Sequence, residues 1–202
     1  MNKRIIGLLA ALTVIGFSAT AQADVVSGQP APDFTLTDSN GTAHSLSSFK
    51  GKFVVLEWLN HGCPFVVKHY DSGNMQALQK EFTAKDVVWL SVNSSAEGNE
   101  GHTKGDEAND ITAKKGAAPT AVLLDADGKV GKLYGAKTTP HMYIINPEGV
   151  LIYQGAIDNK ASMDEADIPE SKNYVREALT AAIDGKEVPE AATKSYGCSV
   201  KY

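Results

Sequence analysis

One cysteine of this chain, Cys63, lies where it could act as a nucleophile, between an apolar run and a proline. Residues 53–59 are apolar apart from Glu57, which is typical of a strand buried on both faces. Pro64 comes next, and proline is favoured at the first helical position because its missing N–H costs nothing there. The pattern therefore predicts Cys63 at a helix N-terminus, where free N–H groups and the helix dipole favour the reactive thiolate. The competing interpretation is a small buried hydrophobic residue.

The second of the two cysteines, Cys198, lies in a glycine-containing C-terminal segment beyond Pro189. It could resolve an oxidised Cys63, form a resting structural bridge with it, or have no part in the chemistry. A bridge that closes so long a loop would stabilise the fold by about 4–5 kcal/mol in the chain-entropy model. Two cysteines cannot build the disulfide scaffold of a small secreted domain, so we expect them to be chemical rather than structural.

The first 23 residues have the pattern of a secretory signal peptide. Lys3 and Arg4 precede an apolar run over residues 5–17 and a small-x-small site at 21–23. The apolar run is too short for a convincing membrane span, although an uncleaved anchor is the alternative. Loss of the two basic residues takes the net charge from −5 to −7, which argues against a nucleic-acid partner. We therefore expect a periplasmic or secreted protein without membrane contact after cleavage, in an oxidising compartment.

Strand and helix patterns then alternate within one domain. Strands are predicted at 31–37, 43–46, 53–59, 87–92, 121–124, 141–145 and 150–153. Helices are predicted after Cys63 with an interruption at Ser72-Gly73, around Ile111, near 133–134 and at 174–183, with a long polar loop at 93–110. This order predicts an α/β sandwich with a mixed sheet, whose functional site lies at the carboxyl ends of strands.

Several motifs, in order, resemble the thioredoxin superfamily and its peroxiredoxin-like (redoxin) branch. The runs 31–34 and 46–52 resemble the entry of that branch, Cys63-Pro64 resembles the active-site helix start, and Thr138-Thr139-Pro140 resembles the cis-proline loop. The resemblance implies a thioredoxin-like three-layer sandwich with a central mixed β-sheet and an N-terminal β-hairpin extension. The expected organisation is a redoxin domain over residues 24–188, followed by a C-terminal tail over 189–202 that carries Cys198.

The resemblance also implies functions for residues around Cys63. Glu57 matches the buried acid that shuttles a proton in thioredoxins, and burial would raise its pKa into a useful range. Its alternative is a strand residue whose carboxylate reaches solvent or a lysine. Pro140, in the cis form, would face the sulfur, and Thr139 would offer backbone groups to an extended substrate. Pro64 is expected to join Thr139 and Pro140 in binding the substrate.

The chain also departs from the pattern of both branches. Val66 stands where thioredoxins carry the second cysteine of Cys-x-x-Cys, while Leu56 and Asn60 stand where peroxiredoxins carry proline and threonine or serine. The catalytic arginine of peroxiredoxins is missing, because Arg176 in the last predicted helix is the only arginine after Arg4. Asn60 and backbone N–H groups remain as donors that could polarise a peroxide O–O bond.

The sequence thus predicts an exported thiol oxidoreductase in which Cys63 attacks a protein disulfide or a small hydroperoxide. Cys198 is the candidate resolving thiol, an external thiol is the reductant, and neither a cofactor nor a metal is required. The alternative is a non-enzymatic module that binds copper or a partner on the same fold. Cys63 with His61, His69 and His141 could form a copper or zinc ligand set, although ordinary hydrogen-bonded histidines are favoured.

Overall fold

The computed structural model of the protein describes residues 25–202. The predicted signal peptide, residues 1–23, lies outside the described residues. In chain order the elements are β1 (Thr35–Asp38), β2 (Ala43–Ser45), β3 (Val54–Trp58), α1 (Pro64–Asp71), α2 (Asn74–Thr83), β4 (Val88–Asn93), α3 (Gly105–Lys114), β5 (Ala121–Leu124), α4 (Lys129–Tyr134), β6 (Thr138–Thr139), β7 (His141–Ile145), β8 (Leu151–Gly155), α5 (Tyr174–Ile183) and β9 (Cys198–Ser199). Short 3₁₀ helices cover Leu46–Phe49 and Glu165–Glu170.

A mixed sheet of seven strands forms the middle layer, in the order β2-β1-β5-β4-β3-β7-β8. β3 pairs in parallel with β4 and antiparallel with β7, so it has a neighbour on each side. The predicted N-terminal hairpin, β1 and β2, joins this sheet because β1 also pairs with β5. β6 and β9 form a separate two-stranded sheet.

Side chains of β3 alternate between two apolar cores. Leu56 and Trp58 enter one core, where the Trp58 ring lies 5.5 Å from that of Tyr134 and 5.1 Å from that of Tyr143. Val55 enters the other core, which α1, α2 and α5 cover. Burying an aliphatic side chain of this size contributes about 1.5–3 kcal/mol. The strand that leads to the cysteine is therefore firmly held on both faces.

The helical segment is interrupted between α1 and α2 at the predicted position. Gly73 has φ 75° and lies in the left-handed region, which glycine adopts without a steric penalty. The structure also confirms β7 and α5 with their predicted bounds. The predicted loop over 93–110 is wrong at its end, because α3 begins at Gly105. Asp106 and Glu107 occupy its first turn, where the helix dipole favours negative charge.

The register of the sheet brings two distant segments to one edge. Trp58, the last residue of β3, pairs with His141, the first residue of β7. The segment that follows β3 and the segment that precedes β7 therefore meet at this edge, where Cys63 and the cis peptide bond between Thr139 and Pro140 lie. Within residues 25–202, no helix has the length and apolar character needed to cross a bilayer.

Candidate functional site

Cys63 caps the N-terminus of α1 and is almost completely covered, with 2% of its surface exposed. Its backbone N–H donates to the carbonyl oxygen of Asn60 at 3.0 Å, which fixes the turn between β3 and the helix. Pro64 follows as the first helical residue, as the sequence predicted. In its thiol form, Cys63 donates from Sγ to the carbonyl oxygen of Thr139 at 3.1 Å. The sulfur thus lies at the helix start and against the residue that precedes the cis-proline.

Cys198 reaches the same sulfur from the tail. Its backbone N–H donates to Cys63 Sγ at 3.4 Å, and β9 pairs antiparallel with β6 so that Cys198 lies opposite Thr139. Both cysteines are free, so the structure contains no resting bridge between them. The structure therefore brings together four residues that the sequence selected, namely Cys63, Cys198, Thr139 and the buried Pro140.

Hydrogen bonds decide the pKa of the Cys63 thiol. Burial raises it, but the neighbouring Cys198 thiol and the Cys198 backbone N–H, 3.4 Å from Sγ, favour the thiolate and help to lower the pKa below its ordinary value. Burial and the neighbouring Cys63 instead raise the pKa of Cys198 to about 11. When the pair carries one proton, that proton lies on Cys198 and the negative charge on Cys63.

The Asn60 side chain braces two loops. Its Oδ1 accepts from the Gly62 backbone N–H at 2.8 Å, and its Nδ2 donates to the carbonyl oxygen of Glu100 at 3.1 Å. The packing against Gly101 is so close that a Cβ there would lie 2.2 Å from Asn60 Oδ1. Asn60 therefore positions the segment before Cys63, and its amide is already occupied by protein groups.

Glu57 lies in the core, where none of its surface is exposed. Four neutral donors meet its carboxylate, namely Trp89 Nε1 at 2.7 Å, Tyr70 Oη at 2.8 Å, Ser91 Oγ at 3.1 Å and Gln79 Nε2 at 3.2 Å. Burial raises its pKa despite these bonds. The alternative of a carboxylate that reaches solvent or a lysine is wrong. None of its hydrogen bonds reaches Cys63, and its part as a proton shuttle remains a prediction.

A second polar cluster near the site was not found from the sequence. Lys68 and His69 of α1 are buried, and each lies 3.9 Å from Oδ2 of the buried Asp158. Tyr196 of the tail donates from Oη to Asp158 Oδ1, lies 3.2 Å from His69 Nε2, and packs edge-on against Phe65. The one signal in the sequence was an aromatic residue, Tyr196, two positions before Cys198.

Other protein groups hold His69 and His141, whereas the buried Nδ1 of His61 has no hydrogen-bond partner among the described residues. His69 Nδ1 lies 2.9 Å from Asn74 Nδ2, and the His141 ring lies 4.6 Å from that of Tyr143. Burial lowers the pKa of His61, His69 and His141 to about 4, so each is neutral at physiological pH. Over residues 25–202, no group of three or more His, Cys, Asp or Glu side chains could hold a metal ion.

The helix that begins after Cys63, with the cis-proline loop against its sulfur, identifies the fold as thioredoxin-like. Residues 27–154 match the model of the AhpC/TSA family, and the chain belongs to this family.

Among known proteins, the chain is similar to the thiol-disulfide oxidoreductase ResA of Bacillus subtilis, at 31% identity over 125 residues. That match covers 62% of this chain and 64% of the ResA protein. It is also similar to a chloroplastic peroxiredoxin Q of Sedum lineare, at 29% identity over 71% of this chain and 76% of the relative. The crystal structure of an uncharacterized conserved protein from Geobacillus kaustophilus superposes with a TM-score of 0.73 and 27% identity, covering 87% of this chain and 92% of that one.

Proposed function

We propose that the protein is an exported thiol oxidoreductase in which the Cys63 thiolate attacks a disulfide and Cys198 resolves the product. The observation that carries this proposal is the contact between the two cysteines beside the cis-proline, with the Cys198 N–H 3.4 Å from Cys63 Sγ. The similarity to a thiol-disulfide oxidoreductase supports the disulfide as the electrophile.

The reaction consists of two exchanges. The Cys63 thiolate attacks one sulfur of a disulfide R–S–S–R, forms a mixed disulfide and releases one R–S⁻. The Cys198 thiolate then attacks Cys63 Sγ, forms the Cys63–Cys198 bond and releases the second R–S⁻. The substrate gains two electrons and the protein dithiol loses them. Two equivalents of an external thiol reduce the protein disulfide again.

The charges on the two thiols favour attack by Cys63 first and by Cys198 second. Before the first exchange, the Cys63 thiolate helps to hold the proton on Cys198. Once Cys63 is in a mixed disulfide, that negative charge is gone, and the part of the Cys198 pKa shift that it causes disappears. Cys198 therefore becomes a better nucleophile at the moment when resolution requires it.

A hydroperoxide is the second candidate electrophile, supported by the similarity to a peroxiredoxin Q. Attack on its O–O bond would give a sulfenic acid on Cys63 and an alcohol, and Cys198 would displace water from the sulfenic acid. The Asn60 amide is already bonded to protein groups, and Arg176 pairs with Glu81 at 3.0 Å. Because few donors remain to polarise the O–O bond, we expect this reaction to be slower.

Export belongs to the same proposal and rests on the N-terminal pattern around Lys3, Arg4 and Ala23. Expression of the full chain with periplasmic fractionation and N-terminal sequencing tests it. We expect a mature chain that begins at Asp24. Full-length protein that is confined to the cytoplasm would contradict export and leave the thiol chemistry open to its own test.

The chemistry is tested by mass spectrometry of the reduced protein after treatment with oxidised glutathione or with hydrogen peroxide. We expect a Cys63–Cys198 disulfide in the wild type with either oxidant. In Cys198→Ser, oxidised glutathione should leave a mixed disulfide on Cys63, and hydrogen peroxide should leave a sulfenic acid there. Cys63→Ser is the matched control and should leave the electrophile unconsumed. If Cys63→Ser consumed both electrophiles as fast as the wild type, the oxidoreductase proposal would be lost and a binding module would be the better interpretation.

A further inference from the structure

The tail occupies the backbone position at which an extended substrate would pair. Thr138 and Thr139 of β6 form a short edge that pairs with no strand of the seven-stranded sheet, and β9 of the tail pairs with this edge. Adding a strand to such an edge is a general way to bind an extended polypeptide. Here the position beside the cis-proline is filled by Cys198 and Ser199 of the same chain.

Hydrogen bonds hold the tail both before and after Cys198. They join Thr193 Oγ1 to Tyr153 Oη at 2.7 Å, Tyr196 Oη to Asp158, the Val200 N–H to the Lys137 carbonyl at 3.2 Å, the Ala96 N–H to the Lys201 carbonyl at 2.8 Å, and Tyr202 Oη to the Ala136 carbonyl at 2.7 Å. The tail thus crosses the site with anchors before and after Cys198. It covers the nucleophile as a fixed segment of the fold.

Gly197 permits the closest approach of the tail to the cis-proline loop. Its φ is 129°, a conformation that other residues rarely adopt. A Cβ at this position would lie 2.0 Å from the carbonyl oxygen of Thr139, which is backbone and cannot move aside as a flexible side chain can. Any larger residue at 197 must therefore lift the tail from this edge.

We propose that residues 196–199 of the tail act as a specificity-determining segment that excludes polypeptides from the cis-proline edge and restricts Cys63 to low-molecular-weight disulfides or hydroperoxides. This inference rests on the proposed thiol chemistry of Cys63 and names the substrate class of that site. A protein disulfide needs room for its flanking chain beside Thr139, and that room is taken. A small electrophile needs only a path to one sulfur, and it makes no demand on the strand position.

Two variants loosen the tail while keeping both cysteines. Gly197→Ala forces the tail away from Thr139, and Tyr196→Phe keeps the ring against Phe65 but removes the hydroxyl bonded to Asp158. Gly185→Ala is the matched control, because it also introduces a side chain at a positive φ, 71°, but with nothing within 4 Å of the new Cβ. It measures the general cost of backbone strain without moving the tail.

The experiment measures how fast reduced Cys63 is consumed by three probes, using quenched samples and mass spectrometry. The probes are oxidised glutathione, tert-butyl hydroperoxide and insulin, which supplies a protein disulfide. Losing the hydrogen bond of the Tyr196 hydroxyl shifts the closed–open equilibrium of the tail by about tenfold, and the clash of a Cβ at 197 with the Thr139 carbonyl should shift it at least as far. We therefore expect each loosened variant to react with insulin about tenfold faster than the wild type, or more. The rates with the two small probes should change by less than about threefold, because uncovering one sulfur needs a smaller displacement of the tail than vacating the strand position beside Thr139.

The outcomes separate this inference from the function on which it rests. Wild-type protein that reacts with insulin as fast as with oxidised glutathione would overturn the inference, as would equal acceleration of all three probes in the loosened variants. If Gly185→Ala gave the same selective gain with insulin, strain rather than the tail would be its cause, and the inference would again fall. Failure of Cys63 to react with any probe in every variant would overturn the proposed function itself. A wild type that is faster with the hydroperoxide or with oxidised glutathione supports the size restriction in either case and identifies which small electrophile it serves.

Discussion

Two buried carboxylates lie beside helix α1, and their partners differ in kind. Glu57 accepts from four neutral donors that are all buried in the core, one of them Tyr70 of α1. Asp158 faces the cationic Lys68 at 3.9 Å and accepts a hydrogen bond from Tyr196 of the tail. One carboxylate therefore belongs to the core alone, whereas the other connects the helix that begins after Cys63 to the segment that carries Cys198.

The difference teaches that a buried acid near a reactive cysteine need not act on its sulfur. Glu57 was selected from its position on the strand before Cys63, yet its hydrogen bonds all go to core residues. Asp158 is distant in sequence, yet it fixes the tail that contacts the sulfur. If this distinction is right, substitutions at Glu57 should alter the stability of the fold. Substitutions at Asp158 should alter both the stability of the fold and the packing of the tail against the site.

The largest expected effect is that of Glu57→Ala. Four buried donors lose their acceptor, and each unsatisfied buried group costs about 1–3 kcal/mol, so we expect a loss of about 4 kcal/mol or more in the free energy of unfolding. Urea unfolding followed by tryptophan fluorescence measures the loss. A loss below about 1 kcal/mol would show that the four donors find other partners and that Glu57 is not needed to stabilise the core.

Asp158→Asn should cost about 3 kcal/mol, because it leaves the charge of Lys68 buried without its counter-charge. The second variant, Asp158→Asn with Lys68→Met, removes that charge and should recover most of the stability. Urea unfolding of both variants provides the measurement. If the double variant were as unstable as the single one, the charge pair would not be the reason for the loss.

The pH dependence of stability should show a smaller effect from Glu57. Its pKa is raised in the folded state by burial, so the folded protein binds the proton more tightly than the unfolded chain does. This contribution to stability is fully present below the ordinary carboxyl pKa and is lost as the pH rises through the raised folded value. Chemical unfolding at a series of pH values should therefore show a decline that is absent in Glu57→Gln. Parallel profiles for the two proteins would contradict a raised pKa.

The smallest effect expected concerns the sulfur itself. Cys198→Ala removes a side-chain hydrogen bond that lowers the pKa of Cys63, so the pH profile of Cys63 alkylation by iodoacetamide should move upward. Glu57→Gln should leave that profile in place, because Glu57 does not contact the sulfur. An upward movement in Glu57→Gln and none in Cys198→Ala would reverse the assignment of the two regions.

Much of the central fold could be predicted because its signals are local. The run 141–145 is continuous and ends at a strong turn, and the helix 174–183 is bounded by Gly185, so both were predicted with their observed bounds. The position of Cys63 followed from the buried strand and Pro64 on either side of it. The start of α3 could not be predicted, because Gly105 and the polar residues around it resemble a loop in composition.

The contacts of the tail could not be predicted from local patterns. β9 has only two residues, and two residues have no periodicity. The contact between Lys68 and Asp158 joins residues 90 positions apart, and it depends on how α1 faces the segment after β8. The position of Tyr196 depends both on the pairing of β9 and on the orientation of α1 toward Asp158. Long-range packing, rather than any motif, therefore determines the position of Cys198 in the candidate site.

The two cysteines lie next to strands of very different stability, which has a consequence for how the protein unfolds. β3 is paired along both edges in the middle of a seven-stranded sheet, whereas β9 has one two-residue neighbour. Opening free energies in proteins range from near zero for such peripheral elements to the global value for central strands. Mild denaturant should therefore release Cys198 in a sub-global opening while the turn at Cys63 remains native. Over that range of denaturant concentration, Cys63 would keep its native surroundings without Cys198 beside it, although neither thiol has changed covalently. Amide hydrogen exchange would then show two separate opening units.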